Sequence, residues 1–364
     1  MKKNKTFFCG MLLGGVLFTA LFFLIPGETK AAGEGGSVTI DGVNYSLSAI
    51  DSGWMGKATL DSDSNYKEVY VRNEVEFKGE YYPVDTFNWE DEEFYDYDMP
   101  TCGWDTVYRD DTNPIHDSLQ KITFAPDITV EGKAINFKKL KEVSFEGKIS
   151  YTDGVYYYNC PKLETLMLPS SYWEPIFGMY RIDVKKCPSV TIMAEESNPY
   201  YRVIDNDVYS KDGKTLYNVT NNTKKYRVRD GVTRIEEGAF NGNDQTRSVV
   251  MSDSVTYIGD YAFGTMDNLS SVKLGKSLKS LNFEAFFNSN KVKKLDVPKN
   301  VKKFETGYCD DNSIKKIIIR TKKIKKGDFR SLSRKCKAYV RNKKVKKQLR
   351  NNGFKGTVIV KKSL

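Results

Sequence analysis

Apolar residues recur with a period of 23 residues in the C-terminal half of the chain. One column of such positions contains Val232, Val255, Leu278, Val301 and Ile324, a second contains Ile235, Ile258, Leu281 and Phe304, and a third contains Phe240, Phe263 and Phe286. Each phenylalanine of the third column follows an alanine. Three columns with one period indicate a structural unit that the chain repeats.

Each unit also contains the pattern apolar-x-x-apolar-x-apolar, which predicts a short strand. Copies begin at Leu119, Leu140, Leu163, Leu269, Val292 and Ile314, with weaker ones near Val190 and Val249. A strand plus a return segment is too small to bury its apolar side alone, so the units must stack on one another. The sequence therefore predicts a β-rich α/β repeat, a solenoid of about eight units.

Two stretches of the repeat carry a family resemblance. Val255 to Phe263 reads V-T-Y-I-G-D-Y-A-F, and L-S-S-V-K-L follows at Leu269 to Leu274. This resembles the BspA-like leucine-rich repeat of secreted and surface proteins of bacteria, in which V-x-x-I-G-x-x-A-F precedes L-x-x-V-x-I-P. The resemblance implies a right-handed leucine-rich-repeat solenoid and a binding role at a cell surface. The basic C-terminal end resembles the tail of many Gram-positive members.

The pattern divides the chain into four parts. Residues 1–31 read as a signal peptide, 32–117 as an N-terminal β cap with an acidic and aromatic loop at 88–113, 118–335 as the solenoid, and 336–364 as a basic C-terminal cap. Alternating residues predict a hairpin turn at Lys78-Gly79 and a hairpin inserted at 198–229. The C-terminal cap is expected to run strand, helix, strand, with Asn342 as helix N-cap and Gly353 as its stop.

The first 31 residues carry the features of an export signal. Lysines precede an apolar run from Phe7 to Ile25, and small residues follow up to Ala31. This order predicts a cleaved signal peptide; an uncleaved anchor helix is the alternative, because the run approaches the ~20 residues that span a bilayer. We expect a secreted, extracellular, cell-surface-associated protein with no transmembrane segment after cleavage.

Charge is distributed unevenly along the chain. Residues 32–117 hold 20 acidic and 5 basic residues, 118–313 have a net charge of +3, and 314–364 hold 20 basic residues and one acid, Asp328. Such a basic end attracts polyanions. The expected polyanion-binding residues are Lys343, Lys344, Lys346, Lys347 and Arg350 on the predicted helix.

The expected partner of this basic end is an anionic cell-wall polymer, because nucleic acid is not expected outside the cell. Two alternatives remain. The lysines could serve as a structural cap that keeps the solenoid soluble. The acidic and basic ends could instead attract each other between molecules, which would give a self-associating structural protein of the envelope or matrix.

The loop at 88–113 interrupts the repeat with acids and aromatics. Its candidate ligand-binding residues are Trp89, Tyr95, Tyr97, Trp104 and Tyr108. Aromatic side chains are enriched at binding hot spots, so the loop could stack on carbohydrate or hold a basic peptide. The alternative is a cover for the N-terminal end, with Trp89 and Trp104 anchored in the cap.

Side chains alternate between the two sides of a strand, so the residue between the two core positions points outward. In the solenoid these residues would line the concave face, and they are Thr123, Ser144, Met167, Val250, Lys273, Asp296 and Ile318. We predict that this face binds a host extracellular protein or glycan in adhesion. The alternative is a solvated sheet face without a ligand.

Candidate catalytic and metal-binding residues are scarce. His116 is the single histidine, and the sequence has no Gly-x-Ser-x-Gly elbow. The loop carboxylates allow a glycosidase reading, but runs of acids are far more often solvated charge. We expect no enzyme activity, no metal and no cofactor. Cys160 and Cys187 are expected to be small apolar core residues.

Overall fold

The computed structural model describes residues 36–50, 53–61, 63–89, 114–147, 150–151, 154–168, 181–221, 223–306 and 313–364. The predicted signal peptide lies outside these residues, as does nearly all of the acidic and aromatic loop. Strands dominate the described part, and its helices are short. None of these helices is long and apolar enough to cross a membrane.

Antiparallel hairpins form the N-terminal end. The first strands are β1 (Gly36–Ile40), β2 (Val43–Ile50), β3 (Gly53–Leu60), β4 (Glu68–Val71), β5 (Glu74–Phe77) and β6 (Glu80–Asn88). Strands β1, β2 and β3 pair antiparallel in that order, and β5 pairs antiparallel with β6. The predicted turn at Lys78-Gly79 is confirmed: both residues have positive φ, 53° and 81°, as a tight two-residue hairpin turn requires.

Parallel ladders follow these hairpins. Their elements are α1 (Pro114–Ser118), β7 (Lys121–Phe124), β8 (Thr129–Glu131), β9 (Ala134–Ile135), β10 (Glu142–Phe145), β11 (Ser150–Tyr151), β12 (Gly154–Tyr158), β13 (Thr165–Met167), β14 (Arg181–Lys185) and β15 (Thr191–Met193). One sheet has the order β15-β13-β10-β7-β4, and another has the order β14-β12-β9. The parallel stack thus begins at β4, inside the segment predicted as cap, because β4 pairs in register with β7.

The inserted hairpin interrupts the stack where it was predicted. Its strands are β16 (Tyr201–Ile204), β17 (Asp207–Ser210) and β18 (Thr215–Asn218). These strands pair antiparallel in sequence, and the turn between the first two contains Asp205 and Asn206, both with positive φ. Turn chemistry therefore explains these polar residues, as expected.

A buried carboxylate ties the inserted hairpin to the next coil. Asp207 is 2% exposed, and its two oxygens accept hydrogen bonds from Tyr226 Oη at 2.6 Å and from the backbone N–H groups of Thr220 and Asn221, both at 3.1 Å. Burial raises the pKa of Asp207 to about 6, although these hydrogen bonds oppose the shift. Three donors on one buried side chain indicate a structural role.

The C-terminal half continues the same architecture. Its elements are β19 (Lys225–Arg227), β20 (Arg234–Ile235), β21 (Ser248–Val250), β22 (Tyr257–Ile258), β23 (Ser271–Lys273), β24 (Ser280–Asn282), a 3₁₀ turn (Phe283–Phe286), β25 (Lys294–Val297), β26 (Lys303–Glu305), β27 (Lys316–Ile319), β28 (Lys337–Val340), α2 (Lys343–Asn351) and β29 (Thr357–Val360). Sheets β19-β21-β23 and β25-β27-β28-β29 are parallel. The solenoid predicted from the repeat is confirmed.

The period is visible in the hydrogen bonds between coils. Thr246 donates its hydroxyl to the carbonyl of Thr223 at 2.9 Å, 23 residues earlier. Thr246 occupies a position where the repeat predicts an apolar residue, and it is fully buried. The hydrogen bond satisfies its hydroxyl, which explains how a polar residue fits the core.

The C-terminal cap forms as the sequence predicts. The side chain of Asn342 accepts a hydrogen bond from Val345 N at 2.8 Å and so caps α2. Gly353 ends the helix with φ 88°. Val345 and Leu349 are fully buried, so α2 packs its apolar side on the last coils.

Aromatic side chains stack along the core from coil to coil. Phe263 lies between Phe240 and Phe286, with ring centroids at 4.9 and 5.4 Å and interplanar angles of 28° and 13°. All three rings are buried, Phe263 completely. The third column of the repeat is therefore a continuous ring stack that joins neighbouring coils.

We predict that Phe263→Ala lowers the free energy of unfolding by about 3–5 kcal/mol, because it opens a cavity in the middle of this stack. Phe263→Leu should cost less, since it keeps most of the apolar volume. Chemical denaturation followed by circular dichroism measures both. A loss below about 1 kcal/mol for the alanine variant would show that neighbouring coils close the gap.

Candidate binding surface

The outward positions of the parallel strands form rows across the sheets. Thr123 is the Cα partner of Ser144 and of Tyr70, and Val250 is the partner of Lys273. Asp296 pairs with Ile318, and Ile318 with Tyr339. We call this set the outward sheet face: Tyr70, Thr123, Ser144, Met167, Met193, Arg227, Val250, Lys273, Asp296, Ile318, Tyr339 and Ile359.

The seven predicted residues are distributed over three sheets. Thr123, Ser144 and Met167 lie on the five-stranded sheet that ends at β15, before the inserted hairpin. Val250 and Lys273 belong to β19-β21-β23, and the other two to β25-β27-β28-β29. Strand β25 lies beside β23, so the last two sheets are neighbours.

Polar contacts organise the N-terminal part of this face. Tyr70 donates its hydroxyl to Glu146 at 2.6 Å, which raises the pKa of Tyr70. Lys121 forms an ion pair with Glu142 at 2.8 Å, and Ser144 donates to the same carboxylate at 2.6 Å. The Lys121 contact, then the Ser144 hydroxyl, lower the pKa of Glu142. The charges here are paired within the sheet.

Ile318 differs from the other predicted face residues. Its exposed fraction is 8%, whereas Lys273 is exposed and the other five are half-buried. Its row neighbours on the adjacent strands are Asp296 and Tyr339. The sequence expectation that Ile318 is ligand-facing is corrected: a branched apolar side chain between two larger polar ones packs into the sheet.

The acid next to Ile318 is held by an arginine. Arg320 donates from Nε to Asp296 Oδ1 at 2.7 Å and from Nη2 to Oδ2 at 2.8 Å. Such a two-pronged pair fixes both side chains. Asp296 therefore lies on the outward sheet face as predicted, but its carboxylate is already engaged.

Trp89 lies in the core. It is 5% exposed, and its ring has edge contacts with Phe87, Phe137 and Tyr157 at centroid distances of 5.4, 5.2 and 6.0 Å. This burial excludes Trp89 as a stacking platform and agrees with the alternative that it anchors the cap. Tyr95, Tyr97, Trp104 and Tyr108 lie outside the described residues.

The predicted polyanion-binding residues lie on the exposed side of α2. Lys343, Lys344, Lys346, Lys347 and Arg350 are all exposed, while Val345 and Leu349 face the core. Arg350 donates to the carbonyl of Phe354 at 2.8 Å. The first turn of α2 contains no acid, so its cations lie at the positive end of the helix dipole.

A row of lysines was missed by sequence reasoning. Lys294, Lys316 and Lys337 are Cα partners on β25, β27 and β28. They lie two residues before the outward positions Asp296, Ile318 and Tyr339. The same alternation rule could have identified them. The spacing between them departs from 23 residues, so a strict period does not align them.

The cysteines and the histidine occupy structural positions. Cys160, Cys187 and Cys336 are buried free thiols. Contact with Cys187 and burial raise the pKa of the Cys160 thiol, and burial raises that of Cys336 to about 11. His116 packs on Phe137 with centroids 4.4 Å apart. Among the described residues, no group of three or more His, Cys, Asp or Glu could hold a metal ion.

Stacked parallel coils with short strands define a solenoid of the leucine-rich-repeat class. Six copies of the BspA type leucine rich repeat region match at residues 116–175 and 212–335, about half of the chain. The chain belongs to this family of BspA-type leucine-rich repeats.

Solved structures with a similar course come from other bacteria. The pneumococcal vaccine antigen PcpA is 15% identical, with 90% of this chain and 99% of that chain covered and a TM-score of 0.45. A leucine-rich repeat protein from Eubacterium ventriosum is 14% identical, with 85% of both chains covered and a TM-score of 0.49. A leucine rich cell surface protein from Faecalibacterium prausnitzii is 17% identical, with 80% and 90% covered and a TM-score of 0.32. No curated protein matches the chain.

We predict that Ile318→Ala lowers the free energy of unfolding by about 2 kcal/mol, because it removes a buried side chain. Lys273→Ala, on the same face but exposed, should change it by less than about 0.5 kcal/mol. Urea denaturation of both variants measures the contrast. Equal and small effects would return Ile318 to the set of solvated residues.

Proposed function

We propose that this protein is a non-enzymatic surface protein that binds macromolecules through its outward sheet face, while its basic C-terminal end associates with the anionic cell envelope. The observation that carries this proposal is the in-register row of outward side chains across parallel strands. Extended solenoid surfaces of this kind suit large ligands, because each strand adds one further contact position. The ligand class is a host extracellular protein or glycan.

The composition of the face supports a mixed polar and apolar interface. Met193 is 39% exposed and Tyr70 is 37% exposed, and they lie on the outermost strands of the five-stranded sheet. Methionine adapts its shape to a partner, and tyrosine combines apolar area with a hydroxyl. Neighbouring Thr123 and Ser144 add hydroxyl donors and acceptors.

The basic end supports the envelope association. Residues 314–364 hold 20 basic residues and one acid, Asp328. That acid is already bound by Arg330, whose Nη2 lies 2.6 Å from Asp328 Oδ2. The net positive field therefore extends over the last coils and α2, where it would attract an anionic polymer. Export and a cell-surface location are part of this proposal.

The ligand-binding part is tested with the full chain and two matched double variants. Met167→Glu with Lys273→Glu alters the outward sheet face, and Met55→Glu with Lys302→Glu makes the same changes at exposed positions elsewhere. On arrays of extracellular matrix proteins and glycans, we expect the face variant to lose at least tenfold in affinity, because one buried charge at an interface costs more than 1.4 kcal/mol. The control should bind like the wild type.

Equal loss in both variants, or no ligand for the wild type, would contradict this prediction. In that case, light scattering that rises with protein concentration at low salt would favour the self-associating alternative. That alternative draws on the opposite charges of the two ends of the chain. A wild type that stays monomeric and finds no ligand would remove both.

The envelope part predicts salt-dependent binding to bacterial sacculi. The full chain should bind sacculi that keep their anionic polymers and should be released as salt shortens the Debye length below about 10 Å. Sacculi stripped of these polymers should bind much less protein, because the attracting charge is gone. Sedimentation of the bound fraction measures this. Binding that is insensitive to both salt and stripping would exclude an electrostatic association.

A further inference from the structure

The lysine row, defined as Lys294, Lys316 and Lys337, places three like charges side by side. Their strands β25, β27 and β28 are parallel and in register, so neighbouring backbones lie about 4.8 Å apart. Lys294 and Lys337 are exposed and Lys316 is half-buried. Like charges directly opposite one another destabilise a sheet. The row therefore carries a cost that folding alone does not require.

No acid on this part of the face compensates the row. None of the three lysines forms an ion pair with another described residue. Asp296 is the acid on β25, and both of its oxygens accept from Arg320. The adjacent Lys293 and Lys315 are exposed and add further positive charge. The row is a linear cationic site at the edge of the outward sheet face.

The residue types indicate which polyanion fits. Lysine acts as a compact point charge and suits a single phosphate group, whereas arginine is preferred where a planar anion is held by two prongs. The outward positions of β25, β27, β28 and β29 contain one aromatic residue, Tyr339. Lys316 Nζ and Lys361 Nζ lie 4.8 and 5.4 Å from its ring centroid. Cations already occupy the ring, so it is not a free platform for stacking a sugar.

We propose that the lysine row binds a linear polyol-phosphate polymer that runs across the strands, with phosphates of the polymer on Lys294, Lys316 and Lys337. This inference rests on the envelope association proposed above and names its site and its chemistry. The polymer neutralises charges that repel one another in the free protein, so binding relieves the cost of the row.

A second row of lysines provides the matched control. Lys279, Lys302 and Lys325 are exposed and stack through backbone hydrogen bonds, Lys302 N to Lys279 O at 3.1 Å and Lys325 N to Lys302 O at 2.8 Å. Here part of the nearby charge is compensated, because Lys326 pairs with Glu305 at 3.2 Å. The two rows have the same number of charges in the same coils but different surroundings.

The experiment measures binding of the full chain to purified poly(glycerol phosphate) by calorimetry at low salt. Lys294→Gln, Lys316→Gln and Lys337→Gln together should weaken binding at least tenfold. The same three changes at Lys279, Lys302 and Lys325, or at Lys343, Lys344 and Lys347 on α2, should weaken it less than threefold. Replacing the three lysines of the row with arginine keeps the charge, and this variant should retain most of the affinity.

Melting curves of the free variants separate lost binding from lost folding. Neutralising the row should leave the melting temperature unchanged or raise it, because repulsion is removed. The polymer should raise the melting temperature of the wild type more than that of the neutralised variant. A neutralised variant that melts lower and gains as much from the polymer as the wild type would overturn the proposal.

The remaining outcomes also decide. If the polymer binds and the α2 or control variant loses the affinity instead, the lysine row is excluded while the envelope association stands. Failure of the wild type to bind the polymer at all would refute both. Tighter, row-dependent binding of heparin than of poly(glycerol phosphate) would overturn the polyol-phosphate assignment in favour of a sulfated glycan.

Discussion

A single coil of this chain cannot bury its own apolar side, and stacking on the neighbouring coils is the constraint on which the structure depends. Backbone hydrogen bonds between coils, such as Thr246 Oγ1 to Thr223 O, repeat at 23 residues and fix the register. Once the register is fixed, every column of the repeat becomes a row of touching side chains. The position of each surface residue thus follows from the packing of the core.

The same translation has opposite consequences inside and outside. In the core it places Phe240, Phe263 and Phe286 on top of one another, with 4.9 and 5.4 Å between ring centroids, and each contact stabilises the stack. On the surface it aligns Lys294, Lys316 and Lys337, and each neighbour repels the next. A repeat protein can therefore build a linear binding site without a pocket, but charged columns carry an energetic cost.

Sequence reasoning succeeded where the signal is local and periodic. The phenylalanine column, the hairpin turn at Lys78-Gly79 and the cap of α2 by Asn342 each depend on a few neighbouring residues. It missed the start of the parallel stack at β4, because Glu68–Val71 lacks the leading apolar residue of the repeat. The burial of Trp89 and Ile318 also escaped it, because burial depends on which residues of distant coils lie alongside.

The two ends of the outward sheet face differ in how their charges are balanced. On the N-terminal sheet, Glu142 is paired with Lys121 and Glu146 accepts from Tyr70. On the C-terminal sheet, Asp296 is the acid and Arg320 already binds it. The N-terminal part can thus present hydroxyls and apolar groups at little electrostatic cost, whereas the C-terminal part retains a net field. Two ligands of different chemistry can therefore occupy one continuous architecture, because charge balance rather than backbone geometry distinguishes its parts.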